Sequence, residues 1–121
     1  MKPNCQTVSM KIFISSTDMF RGTPLYEAIT LEAKRHGIAG ASLTRGLVGY
    51  GASGSELSTK MFSELCEKAP IIIEMIDERH KLDVLIAHIK WIFNEAKKGF
   101  TITITPVEVI AYQAGGEATN Q

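Results

Sequence analysis

Pro70-Ile71-Ile72-Ile73-Glu74-Met75-Ile76-Asp77 decides the fold. Three β-branched residues in succession after a proline predict a strand. Directly behind it, Leu82, Leu85, Ile86, Ile89, Ile92 and Phe93 recur at helical spacing. They form one broad apolar stripe, which predicts a helix over about Glu78 to Lys98 with Asp77 as its cap. Lys97 and Lys98 suit the negative carboxyl end of that helix, and Gly99 is placed to stop it. Phe100, Ile102 and Ile104 then alternate with Thr101, Thr103 and Thr105, which is strand periodicity. Pro106 breaks that strand or marks it as an edge, and Val107, Val109, Ile110 and Tyr112 continue in extended form. This half reads β-α-β, with an additional C-terminal strand from the extended continuation.

Upstream of Pro70 the same order is repeated. Val8, Met10, Ile12 and Ile14 alternate with Ser9, Lys11 and Phe13, a second strand signal that ends in the turn-forming cluster Ser15-Ser16-Thr17-Asp18. Thr23 followed by Pro24 predicts a helix start, with Leu25, Ala28, Ile29 and Ala33 on its apolar face and Gly37 past its end. Ala39 to Val48 reads as a strand entering the glycine-dense run Gly49 to Ser55. Leu57, Met61 and Leu65 fit either a helix or a curved strand. The order β-α-β-β-α-β predicts an α+β, ferredoxin-like sandwich with two helices on one face of an antiparallel sheet. That layering leaves one sheet face open, and the chain is expected to cover it by oligomerising. Residues 1–7 and 113–121 read as flexible tails around a domain at 8–112.

Bulk properties exclude more than they identify. The chain has 121 residues, 45% hydrophobic and 21% charged, and suits one domain. Thirteen basic and thirteen acidic residues cancel, whereas a duplex-binding domain carries a basic excess, so nucleic acid is not expected as a partner. No apolar run approaches membrane-spanning length and no secretory leader is recognisable, which makes the cytoplasm the expected location. Cys5 and Cys66 have no metal-ligand spacing and read as a tail residue and a small apolar filler.

The residues offer no catalytic set. His80 and His88 lie eight apart on the second predicted helix, about 12 Å along its axis, too far to share one metal ion. His36 suits a helix end. No nucleophile with a base and no carboxylate pair stands out, so the chain is not expected to be an enzyme, and no cofactor or metal is assigned. Glu74 lies inside an apolar strand, and an unpaired buried carboxylate is costly. It is expected to pair with Arg45 of the neighbouring strand or to lie at a subunit interface. Gly49-Tyr50-Gly51-Ala52-Ser53-Gly54 has glycines that free N–H groups for an anion and a hydroxyl beside them. It lacks a P-loop lysine, and a hairpin connection explains it equally.

Several stretches together resemble one family. Lys11-Ile-Phe-Ile, Pro24-Leu-Tyr-Glu-Ala-Ile, Gly37-Ile-Ala-Gly-Ala, Arg45-Gly-Leu-Val-Gly-Tyr-Gly-Ala-Ser, Pro70-Ile-Ile-Ile-Glu-Met-Ile-Asp and Val107-Glu-Val-Ile-Ala-Tyr are similar to successive signatures of the PII-like proteins of domain of unknown function 190. The resemblance implies a ferredoxin-like protomer in a homotrimer, in the manner of nitrogen regulatory PII and CutA proteins, with sheets facing the trimer centre. It implies a regulatory protein that senses a small anionic metabolite or nucleotide in inter-subunit clefts and acts on a partner protein such as a membrane transporter. Arg45, Gly46, Gly49, Tyr50, Gly51, Ser53, Lys60 and Glu74 are the ligand-binding candidates it points to. Two departures accompany it. The PII glycine loop between the second helix and the next strand is reduced here to Lys97-Lys98-Gly99, and Ser58 stands where relatives carry a histidine. A CutA-like metal-binding trimer using His80, His88 and nearby carboxylates is the alternative.

Overall fold

The computed structural model describes residues 6–52 and 67–116. The described residues include, in chain order, β1 (Thr7–Ser15), β2 (Met19–Phe20), β3 (Thr23–Pro24), α1 (Leu25–Arg35), β4 (Ala41–Arg45), β5 (Pro70–Glu78), α2 (Arg79–Ala96) and β6 (Thr101–Pro106). Four of the strands form an antiparallel sheet in the order β4-β5-β1-β6. This is the ferredoxin-like arrangement expected from the sequence. Leu57 to Leu65 lies outside the described residues, as do residues 1–5 and 117–121.

Register explains which residues face the helices. Ile12 stands opposite Ile73 on one side and Ile102 on the other, and Met10 opposite Met75 and Ile104. Directly opposed residues share a face, so these side chains and their alternate neighbours Val8, Ile14 and Ile71 form one apolar surface. It packs against Leu25, Ile29 and Ala33 of α1 and Leu82, Leu85, Ile89, Ile92 and Phe93 of α2. Each fully buried side chain of this kind contributes about 1.5–3 kcal/mol of hydrophobic stabilisation. Phe100 stacks on Phe93, ring centroids 4.5 Å apart, and closes the core beneath the β6 entry.

Among the described residues the opposite sheet face is not covered by either helix and is largely polar. Opposed positions place Ser9, Lys11, Phe13, Ser42, Thr44, Ile72, Glu74, Ile76, Thr101, Thr103 and Thr105 on it. Only Phe13, Ile72 and Ile76 are large apolar residues, so hydroxyls dominate the surface.

Four local expectations are corrected. Thr23 does not cap α1. Thr23 and Pro24 pair with Phe20 and Met19 in a small hairpin, and the N-cap is Pro24. Its two-residue turn, Arg21-Gly22, has both φ angles positive, +49° and +81°, as a primed hairpin turn requires. Asp77 does not cap α2 either. It is the last but one residue of β5, buried, and Glu78 is the N-cap. There its carboxylate accepts the Ala39 N–H at 2.9 Å, the Glu78 N–H at 2.7 Å and the Lys81 Nζ at 3.1 Å. Gly99 is not the stop of α2, because Lys97 already takes the left-handed conformation with φ +56°. After Pro106 the chain through Gly116 contains no strand among the described residues, so no additional C-terminal strand forms there. Gly37 does end α1: at φ +72° it lets its own N–H reach the Lys34 carbonyl and the Ile38 N–H reach that of Ala33.

Candidate functional site

Sheet register also assembles the site. Ser15 at the end of β1 opposes Pro70 at the start of β5, and Phe13 opposes Thr101 at the start of β6. The segments just outside these positions therefore meet at one edge: Thr17 and Asp18 after β1, Lys68 before β5, and Lys98 before β6. The loop Gly49–Ala52 forms the remaining wall. Together with Phe13, Ser15 and Pro70 they line a cleft of about 180 Å³.

Its electrostatics combine one carboxylate with two ammonium groups. Asp18 is 3% exposed. Its Oδ2 accepts the Ser15 N–H at 3.2 Å, and its carbonyl accepts the Leu25 N–H at 2.8 Å. Burial raises its carboxyl above the ordinary aspartate value. The Ser15 N–H bond and the charges of Lys98 and Lys68 pull in the other direction without cancelling that effect. No described acid forms an ion pair with Lys68 or Lys98. With hydroxyls from Ser15 and Thr17 beside them, the cleft presents donors and cationic heads suited to an oxyanion.

The glycines around the loop serve close packing. A Cβ on Gly46 would lie 2.6 Å from Pro70 Cγ, and one on Gly49 would lie 3.1 Å from the same atom. A Cβ on Gly99 would lie 2.2 Å from the Ala52 carbonyl oxygen. The loop is thus laid on Pro70 and on the turn before β6, and only glycine leaves room for it. Gly46 adds an N–H bond of 2.8 Å to the Pro70 carbonyl.

The sequence candidates divide accordingly. Gly49, Tyr50 and Gly51 line the cleft. Gly46 supports it through Pro70. Arg45 opposes Ile71 at the end of β4, exposed and outside the lining. Glu74 does not pair with Arg45, because register sets it opposite Lys11 and Ser42 on the open sheet face. It accepts the Ser9 hydroxyl at 2.7 Å instead. Ser53 and Lys60 lie outside the described residues. Asp18, Lys68 and Lys98 were not singled out as ligand-binding from the sequence. A turn cluster and helix-end lysines are ordinary features until register brings them together. His80 lies 3.4 Å from Glu78 Oε2 and His88 3.3 Å from Glu32 Oε2, so the two histidines have separate carboxylates. Among the described residues no group of three metal-ligating side chains occurs, and no described helix is long and apolar enough to cross a membrane.

Comparison with known proteins gives a consistent picture. The model of the DUF190 family, described as uncharacterized ACR, matches residues 7–109. A UPF0166 protein from Aquifex aeolicus is 34% identical over 101 residues, covering 84% of this chain and 90% of that one. Among solved structures, a PII-like protein from Thermus thermophilus superposes with a TM-score of 0.60 at 17% identity, covering 88% of this chain and 91% of the other. CPII, a nitrogen regulatory PII-like protein from Thiomonas intermedia bound to ADP, AMP and bicarbonate, superposes with a TM-score of 0.61 at 16% identity. That match covers 88% of this chain and 96% of CPII. At such identities these structures establish a shared PII-like fold.

Proposed function

The chain belongs to the DUF190 family, and from that premise we propose that it is a non-enzymatic PII-like regulatory protein whose cleft at the end of β1 takes the phosphate end of an adenine nucleotide or a comparable small oxyanion. The observation that carries this reading is the pair Lys68 and Lys98, free of ion pairs with described residues and facing the same cleft as Ser15, Thr17 and the Gly49–Ala52 loop. The binding of ADP, AMP and bicarbonate by CPII supports the ligand class. Here the PII glycine loop is replaced by Lys97-Lys98-Gly99, so a lysine head takes the place of a backbone cradle.

The size of the cleft bears on assembly. At about 180 Å³ it is smaller than the roughly 300–1,000 Å³ typical of complete small-molecule sites. The cleft lined by the described residues has room for a phosphate group or a bicarbonate, and in this reading the rest of a nucleotide lies against a further wall. A homotrimer with clefts between subunits supplies that wall, and it covers Phe13, Ile72 and Ile76 on the open sheet face. In this reading a liganded trimer acts on a partner protein, in the cytoplasm.

Calorimetry with ADP, AMP and bicarbonate, alongside light scattering for the oligomer, tests the proposal. A nucleotide at 100–1,000 times its dissociation constant should stabilise the fold by about 3–4 kcal/mol. Lys68→Ala and Lys98→Ala should each weaken binding about tenfold or more, since a charge-assisted contact contributes roughly 1.5–3 kcal/mol. Indifference to the whole panel, or equal binding by both lysine variants, overturns the assignment.

A further inference from the structure

A second cationic surface adjoins the cleft. Lys90, Trp91, Asn94, Lys97, Lys98 and Phe100 line a shallow groove along the carboxyl-terminal half of α2. Arg21 adds a fourth cation. Its guanidinium carbon stands 5.4 Å from the Trp91 ring centroid and 5.0 Å from that of Phe20, and Phe20 meets Trp91 edge-on at 6.1 Å. Arg21 occupies the left-handed region at φ +49°, as its hairpin turn requires.

The concentration of charge is local. The chain as a whole sums to zero, yet no acidic side chain lines this groove. Lys90 and Lys97 form no ion pair with any described residue. Favourable interaction with the helix carboxyl end explains lysines in the last turn. It does not explain Lys90, nearly two turns earlier, or a tryptophan left 44% exposed between cations.

We propose that this groove docks an acidic, extended peptide segment of a partner protein. The lysine heads are positioned for its carboxylates, the Asn94 amide offers both a donor and an acceptor to a main-chain peptide group, and Trp91 with Phe100 gives an apolar floor. A lipid surface fits less well: of the apolar residues lining the groove, Phe93 is buried and only Trp91 is strongly exposed for insertion. Lys98 lines both the groove and the cleft. An oxyanion in the cleft therefore draws Lys98 from the groove and weakens peptide docking, a linkage that rests on the cleft reading above.

Trp91 is the sole tryptophan of the chain, so its emission reports on the groove directly. The full-length protein is titrated with a short oligoglutamate peptide, with oligolysine, and with phosphatidylserine vesicles. Oligoglutamate should shift the emission, oligolysine should not, and added salt should weaken the response. The double variant Lys90→Glu/Lys97→Glu should lose about tenfold or more in peptide affinity with its circular dichroism unchanged. Lys90→Gln/Lys97→Gln serves the same purpose should charge reversal impair folding. No response to oligoglutamate up to its solubility limit, undiminished binding by the double variant, or tighter binding of vesicles than of peptide overturns the proposal. ADP binding is measured separately by calorimetry, so the cleft and the groove can fail independently. ADP that binds yet leaves peptide affinity unchanged overturns the linkage.

Discussion

Gly99→Ala tests whether the loop wall is held by contact with the turn before β6. The added methyl carbon would lie 2.2 Å from the Ala52 carbonyl oxygen and 2.6 Å from its carbon. Even close C–H···O contacts keep carbon and oxygen about 3.3–3.6 Å apart, so one side must retreat by roughly 1 Å. The φ of Gly99 lies outside the left-handed region, and the conflict is steric, with no backbone strain of its own. Overpacking of this size costs about 1–3 kcal/mol. The lower part of that range applies because a surface loop can move more easily than a core. Urea unfolding followed by Trp91 fluorescence should show a loss of about 1 kcal/mol, a fall of a few degrees in Tm for a chain of this length. Oxyanion affinity should fall by more than stability, because the Gly49–Ala52 wall is displaced relative to Lys98. Gly51→Ala is the matched control: nothing lies within 4 Å of its added carbon, and it should change stability by no more than about 0.5 kcal/mol. A Gly99→Ala protein that unfolds and binds ADP like the native chain refutes the packing argument.

Further expectations concern the two buried aspartates and the core. Burial alone would raise the Asp77 carboxyl, but the Glu78 and Ala39 N–H groups and Lys81 outweigh it and hold it below 3.8. Its stabilisation is therefore present above that unfolded value and lost as pH falls through the lower folded one. Asp77→Asn should cost about 2–3 kcal/mol at neutral pH, with the half-exposed Lys81 contributing little of it. The deficit should narrow in urea titrations below that window. Asp18 has the opposite sign, since its folded carboxyl lies above 3.8. Native stability is lost as pH rises through the folded value, and Asp18→Asn should unfold at higher urea than the native protein at neutral pH, with the gain absent in acid. The same variant should bind ADP more tightly, because a negative charge beside Lys68 and Lys98 is gone. Leu85 is fully buried beneath the sheet, and Leu85→Ala should cost about 2–5 kcal/mol in the same assay.

Strand alternation, the Leu25-to-Ala33 face and the Leu82-to-Phe93 stripe were sufficient for the element order and both helices because each pattern reflects one buried face, independent of distant contacts. Boundaries were less legible. Thr23-Pro24 carries a strong helix-start pattern, but the two positive φ angles at Arg21 and Gly22 recruit it into a hairpin first. Asp77 has a capping side chain, yet the same three acceptor bonds are better made on the buried face of β5, where Ala39 and Lys81 converge. Glu74 was expected to pair with Arg45, but its hydrogen bond is with Ser9. Identifying Ser9 as that partner required the β1–β5 register, which period-two alternation cannot supply. For the same reason Lys68 and Lys98 remained anonymous in the sequence: thirty residues separate them, and neither belongs to a motif.

The glycine run acquires a different meaning once that register is known. Its pattern suggested N–H groups freed to cradle a phosphate, whereas Gly46 and Gly49 are small because Pro70 lies against them, and Gly99 because Ala52 does. Cationic groups and loop wall are thus attached to the fold by different means. Lys68 and Lys98 are set by backbone pairing of β5 and β6 with β1, part of the sheet that carries the core. The Gly49–Ala52 wall is held by steric fit at two points and one N–H bond at Gly46. Breaking those contacts exposes little apolar surface, so the wall can shift at small cost while the lysines stay in place. Under the proposed function, a ligand bridging Lys98 and the wall is expected to fix the loop without disturbing the sheet. Such a division suits the proposed regulatory role, in which the position of the wall would report ligand occupancy.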